Sequence, residues 1–267
     1  MSGDKNGLNS ALNAVANQNT GENPEFLNRT IDDCVAYKKV LETRRSVRIF
    51  DRMPIDPKVM NEIIDLSMLA PSSSNLQPWE FHWVRSKDKR MALEQACLSQ
   101  PAAKTAGELV VIVARTGTWR RNINIMLQTF SDRGSNVPEA VIYYYKRLVP
   151  AALSVGPLSV LAPFKWAVTR ILRYSKPTPQ EPLGAGGLRI WAHKSVALAA
   201  QTFMLSARAY NLDTCPMEGF DSWRVKSLLN LPSDAEISMV IAVGKALPQG
   251  IYGGRLRFDR KLFVFEH

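Results

Sequence analysis

Histidine and cysteine are scarce: three of each in 267 residues. Cys34, Cys97 and Cys215 are far apart and no Cys-x-x-Cys pair occurs, so neither a disulfide framework nor a zinc site is supported. No basic segment followed by an apolar run opens the chain, so no secretory signal is visible and a cytoplasmic protein is expected. Leu148–Pro163 is uncharged, but it is shorter than the ~20 apolar residues of a membrane span. It is also interrupted by Pro150, Pro157 and Pro163. There is no internal repeat and no conventional acid–base constellation. No module of interleaved aromatic and basic residues marks a nucleic-acid binder, and the basic residues are scattered, so no nucleic-acid partner is expected.

What is present is a chain that is 46% hydrophobic with a formal charge of +10. Such a chain can build a sizeable core, and its charge suggests an anionic partner: a phosphate cofactor, nucleic acid or an anionic membrane surface. Residues 1–29 are polar and unpatterned, with seven asparagines, and read as a mobile tail before a domain over 30–267. Helices are expected from Thr30 to about Thr43, from Asp56-Pro57 to Ala70, over Lys87–Leu98 and over Arg189–Tyr210, the last closed by Asn211. A short helix capped by Asp221 is expected over Asp221–Leu229. Strands are expected at Phe81–Val84, Glu108–Ala114 and Ile237–Val243, the second buried on both faces. Arg255–Phe265 reads as a terminal extended arm. Trp119–Gly187 reads as helical pieces near Arg120–Phe130, Glu139–Leu148 and Phe164–Tyr174, broken by prolines.

Three stretches stand out. The loop Ala70–Phe81 reads Ala-Pro-Ser-Ser-Ser-Asn-Leu-Gln-Pro-Trp-Glu-Phe and offers hydroxyls and amides between two prolines. Arg44-Arg45-Ser46-Val47-Arg48 gathers three guanidiniums and a hydroxyl, a set that matches phosphate oxygens. Arg44 and Arg48 lie one turn apart if a helix continues, or on the face of Ser46 if the chain is extended. Pro216-Met217-Glu218-Gly219-Phe220-Asp221 follows the long helix, and its glycine permits close backbone approach to a planar ligand. Taken singly, the first reads as a polar connecting loop, the second as a solvated basic helix end and the third as an ordinary turn. Arg255 and Arg257 after Gly253-Gly254 form a further basic group, which is equally an arm with solvated charges.

Taken in chain order, Arg44–Arg48, then Ala70–Phe81, then Pro216–Asp221, the stretches resemble the nitroreductase family of flavin enzymes, from Tyr37 to Arg257 but outside the tail and Trp119–Gly187. The resemblance implies an α/β (α+β) fold with a central mixed β-sheet flanked by helices, in a domain-swapped homodimer. It implies FMN bound at the dimer interface. Arg44, Ser46 and Arg255 match positions that hold the phosphate, and Arg45 and Arg48 match positions lining the phosphate and pyrimidine ends. Arg257 falls with them at the cofactor. Pro71, Ser72, Ser73 and Asn75 match a loop that reaches the other subunit's FMN. Pro216, Glu218 and Gly219 match the turn against the isoalloxazine, and Gln100 resembles an amide that reads the pyrimidine edge. Ser195, where some members carry a flavin-contacting Gln, is not expected to contribute.

The implied reaction is ping-pong. NADH or NADPH gives hydride to flavin N5, and an acceptor such as a nitroaromatic or quinone follows. The flavin carries the chemistry, so no catalytic side chain is required. A redox-sensing flavin binder without nicotinamide turnover is the alternative, as is a specialised member of dehalogenase, flavin-cleaving or oxidase type. Trp119–Gly187 departs from simple members and reads as an inserted lid or rim. Six cations and no acid lie between Glu139 and Glu181. An apolar segment so flanked suits the mouth of a site for hydrophobic acceptors, or contact with an anionic membrane surface through 148–174, or packing on the dimer core.

Overall fold

A computed structural model describes residues 30–132, 137–156 and 160–267. The expected N-terminal tail and the break at Pro157 lie outside the described residues. The first helix, α1 (Ile31–Thr43), starts at a reciprocal cap: the Thr30 hydroxyl accepts the Asp33 N–H at 3.2 Å, and the Asp33 carboxylate accepts the Thr30 N–H at 2.9 Å. It ends because Arg44 is extended, with φ −62° and ψ 127°. The Asp56 carboxylate caps α2 (Pro57–Met68) by accepting from the Lys58 N–H at 2.8 Å, ahead of the N1 proline. Next come β1 (Trp79–Trp83), α3 (Lys87–Ala96), α4 (Pro101–Thr105) and β2 (Glu108–Arg115). After the segment that follows β2 come α9 (Ala185–Ala209), β3 (Asp213–Met217), α10 (Ser222–Leu228) and β4 (Ala235–Gly244). Asn211 takes the left-handed conformation just past α9, with φ 58°.

The fold is α/β. Its four strands lie in the order β1-β2-β4-β3, each pair antiparallel, and a parallel bridge from Ser46 to Thr214 adds a contact at the β3 edge. Strand β2 is buried on both faces because successive side chains alternate between two cores. Val110, Ile112 and Ala114 meet Ile241 and Val243 under α2 and α9. Leu109, Val111 and Val113 meet Val240 and Ala242 under α3, α4 and α10. The sheet is thus a middle layer with helices on both sides. Arg115 ties three elements together: its guanidinium donates to Glu80 on β1 and at 3.1 Å to Asp234 ahead of β4. Strand β3 was not expected. It contains Pro216, which the edge position tolerates because an edge strand has one side without a neighbouring ladder.

Between β2 and α9 the chain forms α5 (Trp119–Asp132), α6 (Glu139–Tyr143), a π-helical turn at Tyr144–Leu148, α7 (Val149–Leu153) and α8 (Ala162–Leu172). Pro150 has no N–H to return to the preceding turn, and the helix widens just ahead of it. Trp119, Ile123, Val141, Tyr145, Val149 and Leu153 all enter the core beneath α9. The first half of this segment therefore packs as core in spite of its prolines. Helix α8 contributes no buried residue. No described helix is long and apolar enough to cross a membrane.

Candidate functional site

The extended exit from α1 settles the geometry of the arginine stretch. Val47 turns into the core and its N–H donates to the Thr214 carbonyl at 3.0 Å, while the Arg48 N–H donates to the Gly250 carbonyl at 2.8 Å. A side chain at Gly250 would run into the Ile49 carbonyl oxygen, so glycine is required for this approach. Arg44, Arg45, Ser46 and Arg48 then line one side of a cleft of about 340 Å³, and Tyr252 to Arg257 line the other. The Arg45 guanidinium donates to the Gly253 carbonyl at 2.6 Å, and Arg48 lies over the Tyr252 ring at 5.5 Å. Arg257 donates to the Leu256 carbonyl at 2.7 Å.

Arg255 is placed differently from a free phosphate ligand. It donates to the carbonyls of Leu41 at 3.4 Å, Glu42 at 2.9 Å and Arg44, so it closes the C-terminal end of α1 and fastens the arm to it. The result is a cluster of like charge. Burial, followed by the nearby guanidiniums of Arg255, Arg257 and Arg45, holds Arg44 below the usual arginine range. An anion in this cleft relieves that repulsion.

The other predicted residues fall in two places. Gln100, just ahead of α4, donates its amide to the Gly219 carbonyl at 2.7 Å. Pro216, Glu218 and Gly219 lie at and beyond the end of β3, whose Thr214 bridges Ser46. Because that bridge is parallel, the step from Ser46 to Arg48 advances toward the same end of β3. The loop carrying Pro71, Ser72, Ser73 and Asn75 is not brought to the arginine cleft within one chain. It sits against α9 and the π turn: the Ser73 N–H donates to Ser195 Oγ at 3.4 Å, and Ser74 Oγ lies 2.6 Å from the Tyr144 hydroxyl. The Tyr145 hydroxyl donates to the Ser74 carbonyl at 3.1 Å. Asn75 borders a separate cavity of about 820 Å³ between α2, β1 and α5.

Sequence reasoning missed Tyr144, Tyr145, Tyr252 and Thr214. The run Tyr143-Tyr144-Tyr145 was the available signal for the first two, though their target was not readable. The buried Thr214 hydroxyl has no hydrogen-bond partner and lies beside Ser46 across the bridge. Among the described residues no group of histidines, cysteines and acids could hold a metal ion.

The nitroreductase family sequence pattern matches residues 41–245, and the chain belongs to the nitroreductase family. A protein of Thermus thermophilus named NADH dehydrogenase is 25% identical over 217 residues, which is 81% of this chain and 90% of that protein. The crystal structure of the nitroreductase ydfN of Bacillus subtilis superposes with a TM-score of 0.68 at 25% identity, covering 88% of this chain and all (100%) of the other. A nitroreductase of Exiguobacterium sibiricum, crystallised in complex with FMN, shares the fold with a TM-score of 0.64 at 23% identity, covering 86% and 97%.

Proposed function

We propose that this protein is an FMN-dependent NAD(P)H oxidoreductase that works as a homodimer and passes electrons to a nitroaromatic, quinone or related acceptor. The observation that carries this reading is the arginine cleft. Guanidiniums, a serine hydroxyl and open glycine backbone converge there, and that donor set fits a phosphate monoester. Ser46, Arg44, Arg48 and Arg257 would hold the phosphate end. Arg45 shapes the wall through Gly253, and Gln100 and Gly219 would meet the ring end. FMN, when bound, supplies two-electron chemistry at N5 between the nicotinamide and the acceptor.

The chain's own part is binding and charge. The cations would neutralise the phosphate and lower the cost of accumulating negative charge in the site. Gln100 orients the Gly219 turn, so the backbone presented to the ring is fixed before binding. None of Pro71, Ser72, Ser73 and Asn75 lines the arginine cleft in one chain. Leu256, Phe258, Phe263 and Phe265 of the arm are all exposed in one chain. Both facts favour a second copy that supplies the loop and covers the arm.

The test is the absorbance spectrum of the purified protein, followed by anaerobic bleaching with NADH and with NADPH. The expected result is a yellow protein, FMN released on heating, and bleaching by at least one nicotinamide. A colourless protein that FMN does not reconstitute overturns the cofactor. A yellow protein that neither nicotinamide bleaches leaves a flavin binder and overturns the oxidoreductase.

A further inference from the structure

Helix α8 carries one of its two cations inward and several of its large apolar residues outward. Lys165 Nζ reaches under the helix and donates to three carbonyls: Ala152 at 2.5 Å, Pro182 at 3.2 Å and Ser154 at 3.3 Å. That grip fixes which face looks out. The outward residues are Phe164 (70% exposed), Trp166 (54%) and Ile171 (71%), with Tyr174 (80%) just past the end of the helix. Two arginines lie among them, each against an aromatic ring: Arg170 is 5.8 Å from the Trp166 centroid and Arg173 is 5.1 Å from that of Tyr174.

We propose that this face docks on an anionic phospholipid surface, with Phe164, Trp166 and Ile171 entering the headgroup–acyl boundary while Arg170, Arg173 and Lys176 meet lipid phosphates. Aromatic rings with an apolar body and a polar edge settle at that boundary, and arginine stems cover apolar surface while their heads reach charged groups. Charge selects the partner. Between Glu139 and Glu181 the chain has six basic residues and no acid, and Lys165 alone is turned inward among carbonyls. A second copy docking through the same patch would set cations against cations. A bilayer rich in anionic lipid offers the complementary sign.

The experiment is co-sedimentation of the full chain with vesicles of phosphatidylcholine alone, and with vesicles containing about 30 mol% phosphatidylserine. The protein should pellet with the mixed vesicles only, and release as salt rises from about 0.1 M to about 0.5 M. Arg170→Gln with Arg173→Gln should lower the partition coefficient about thirtyfold, roughly fivefold per cation removed. Phe164→Ser with Ile171→Ser should abolish pelleting with the charge unchanged. Far-UV circular dichroism checks that both double variants fold. A readout that does not depend on them uses brominated lipid, which should quench the native protein and leave Trp166→Phe unquenched. Equal pelleting with both vesicle types, or none with either, overturns the proposal. So does a fall in sedimentation mass for Phe164→Ser with Ile171→Ser in lipid-free buffer, which would assign the face to a second copy.

Discussion

The Gln100 side-chain amide donates to the backbone carbonyl of Gly219 at 2.7 Å, across 119 residues of sequence. It joins the start of α4 to the turn after β3 and leaves the Gly219 region with a defined backbone direction. A Cβ on Gly219 would lie 3.3 Å from that amide nitrogen, so the pair is already in close contact.

Gln100→Ala removes this tie. A neutral hydrogen bond contributes about 1 kcal/mol, so FMN should bind roughly fivefold more weakly. Flavin fluorescence quenching on titration into apo-protein measures it. Unchanged affinity would show that Gln100 does not set the turn.

Arg44→Ala should weaken FMN binding by roughly tenfold to a hundredfold, since a charge-assisted bond contributes about 1.5–3 kcal/mol. Without cofactor the sign reverses. Arg44 is crowded by Arg255, Arg257 and Arg45, so its removal should leave the apo-protein no less stable by thermal melting. Inorganic phosphate should raise the melting temperature of the native apo-protein more than that of the variant.

The thiols give a pH dependence. Burial, with Glu94 adding to it, pushes Cys97 up to about 12. Burial also raises Cys215, against the opposing charges of Arg48 and Arg44. A thiol raised in the folded state keeps its proton where the unfolded chain has lost it. Its stabilising contribution is therefore full below the ordinary thiol range and lost as pH rises toward 12. Urea unfolding between about pH 8.5 and 10.5 should show stability falling, with a slope reduced in Cys97→Ala. Native protein at pH ~8 should react quickly at one thiol, the exposed Cys34.

Tyr144→Phe loses the contact with Ser74 Oγ and should cost about 1 kcal/mol. Ser74 sits in the left-handed region, with φ 54° and ψ 23°. Ser74→Gly should come out near neutral, because about 1 kcal/mol of backbone relief offsets the lost hydroxyl contact. Hydrogen exchange of the Ser73–Leu76 amides should speed up in Tyr144→Phe, and that result separates a grip on the loop from a role confined to the insert.

The elements legible in the sequence were those set by local chemistry. Asp56-Pro57 marked the start of α2, Asn211 the end of α9 and Asp221 the cap of α10, because caps act within a turn of the residues that make them. The short, apolar, valine-rich run Glu108–Ala114 gave β2. Strand β3 was not legible: it is five residues long, contains proline, and is held as a strand by pairing with β4. The arginine cluster was visible as charge, but its extended form was decided by pairing with Thr214 and Gly250, which no local pattern reveals. The role of Arg255 depended on where α1 ends in space. Lys165 was counted with the free cations, and only the path of the chain back past Pro182 turned it inward.

The sheet also determines which residues feel one another. Val111 and Ile112 are chain neighbours that face opposite layers. Truncating both should give losses that add more nearly, since the two side chains pack in separate clusters. Val111 and Val240 are far apart in sequence but are paired directly across β2 and β4 and face the same layer. Truncating both opens one common void, and the combined loss should depart from the sum of the two single losses. For this protein, then, epistasis in the core follows strand register and side-chain parity, not separation along the chain.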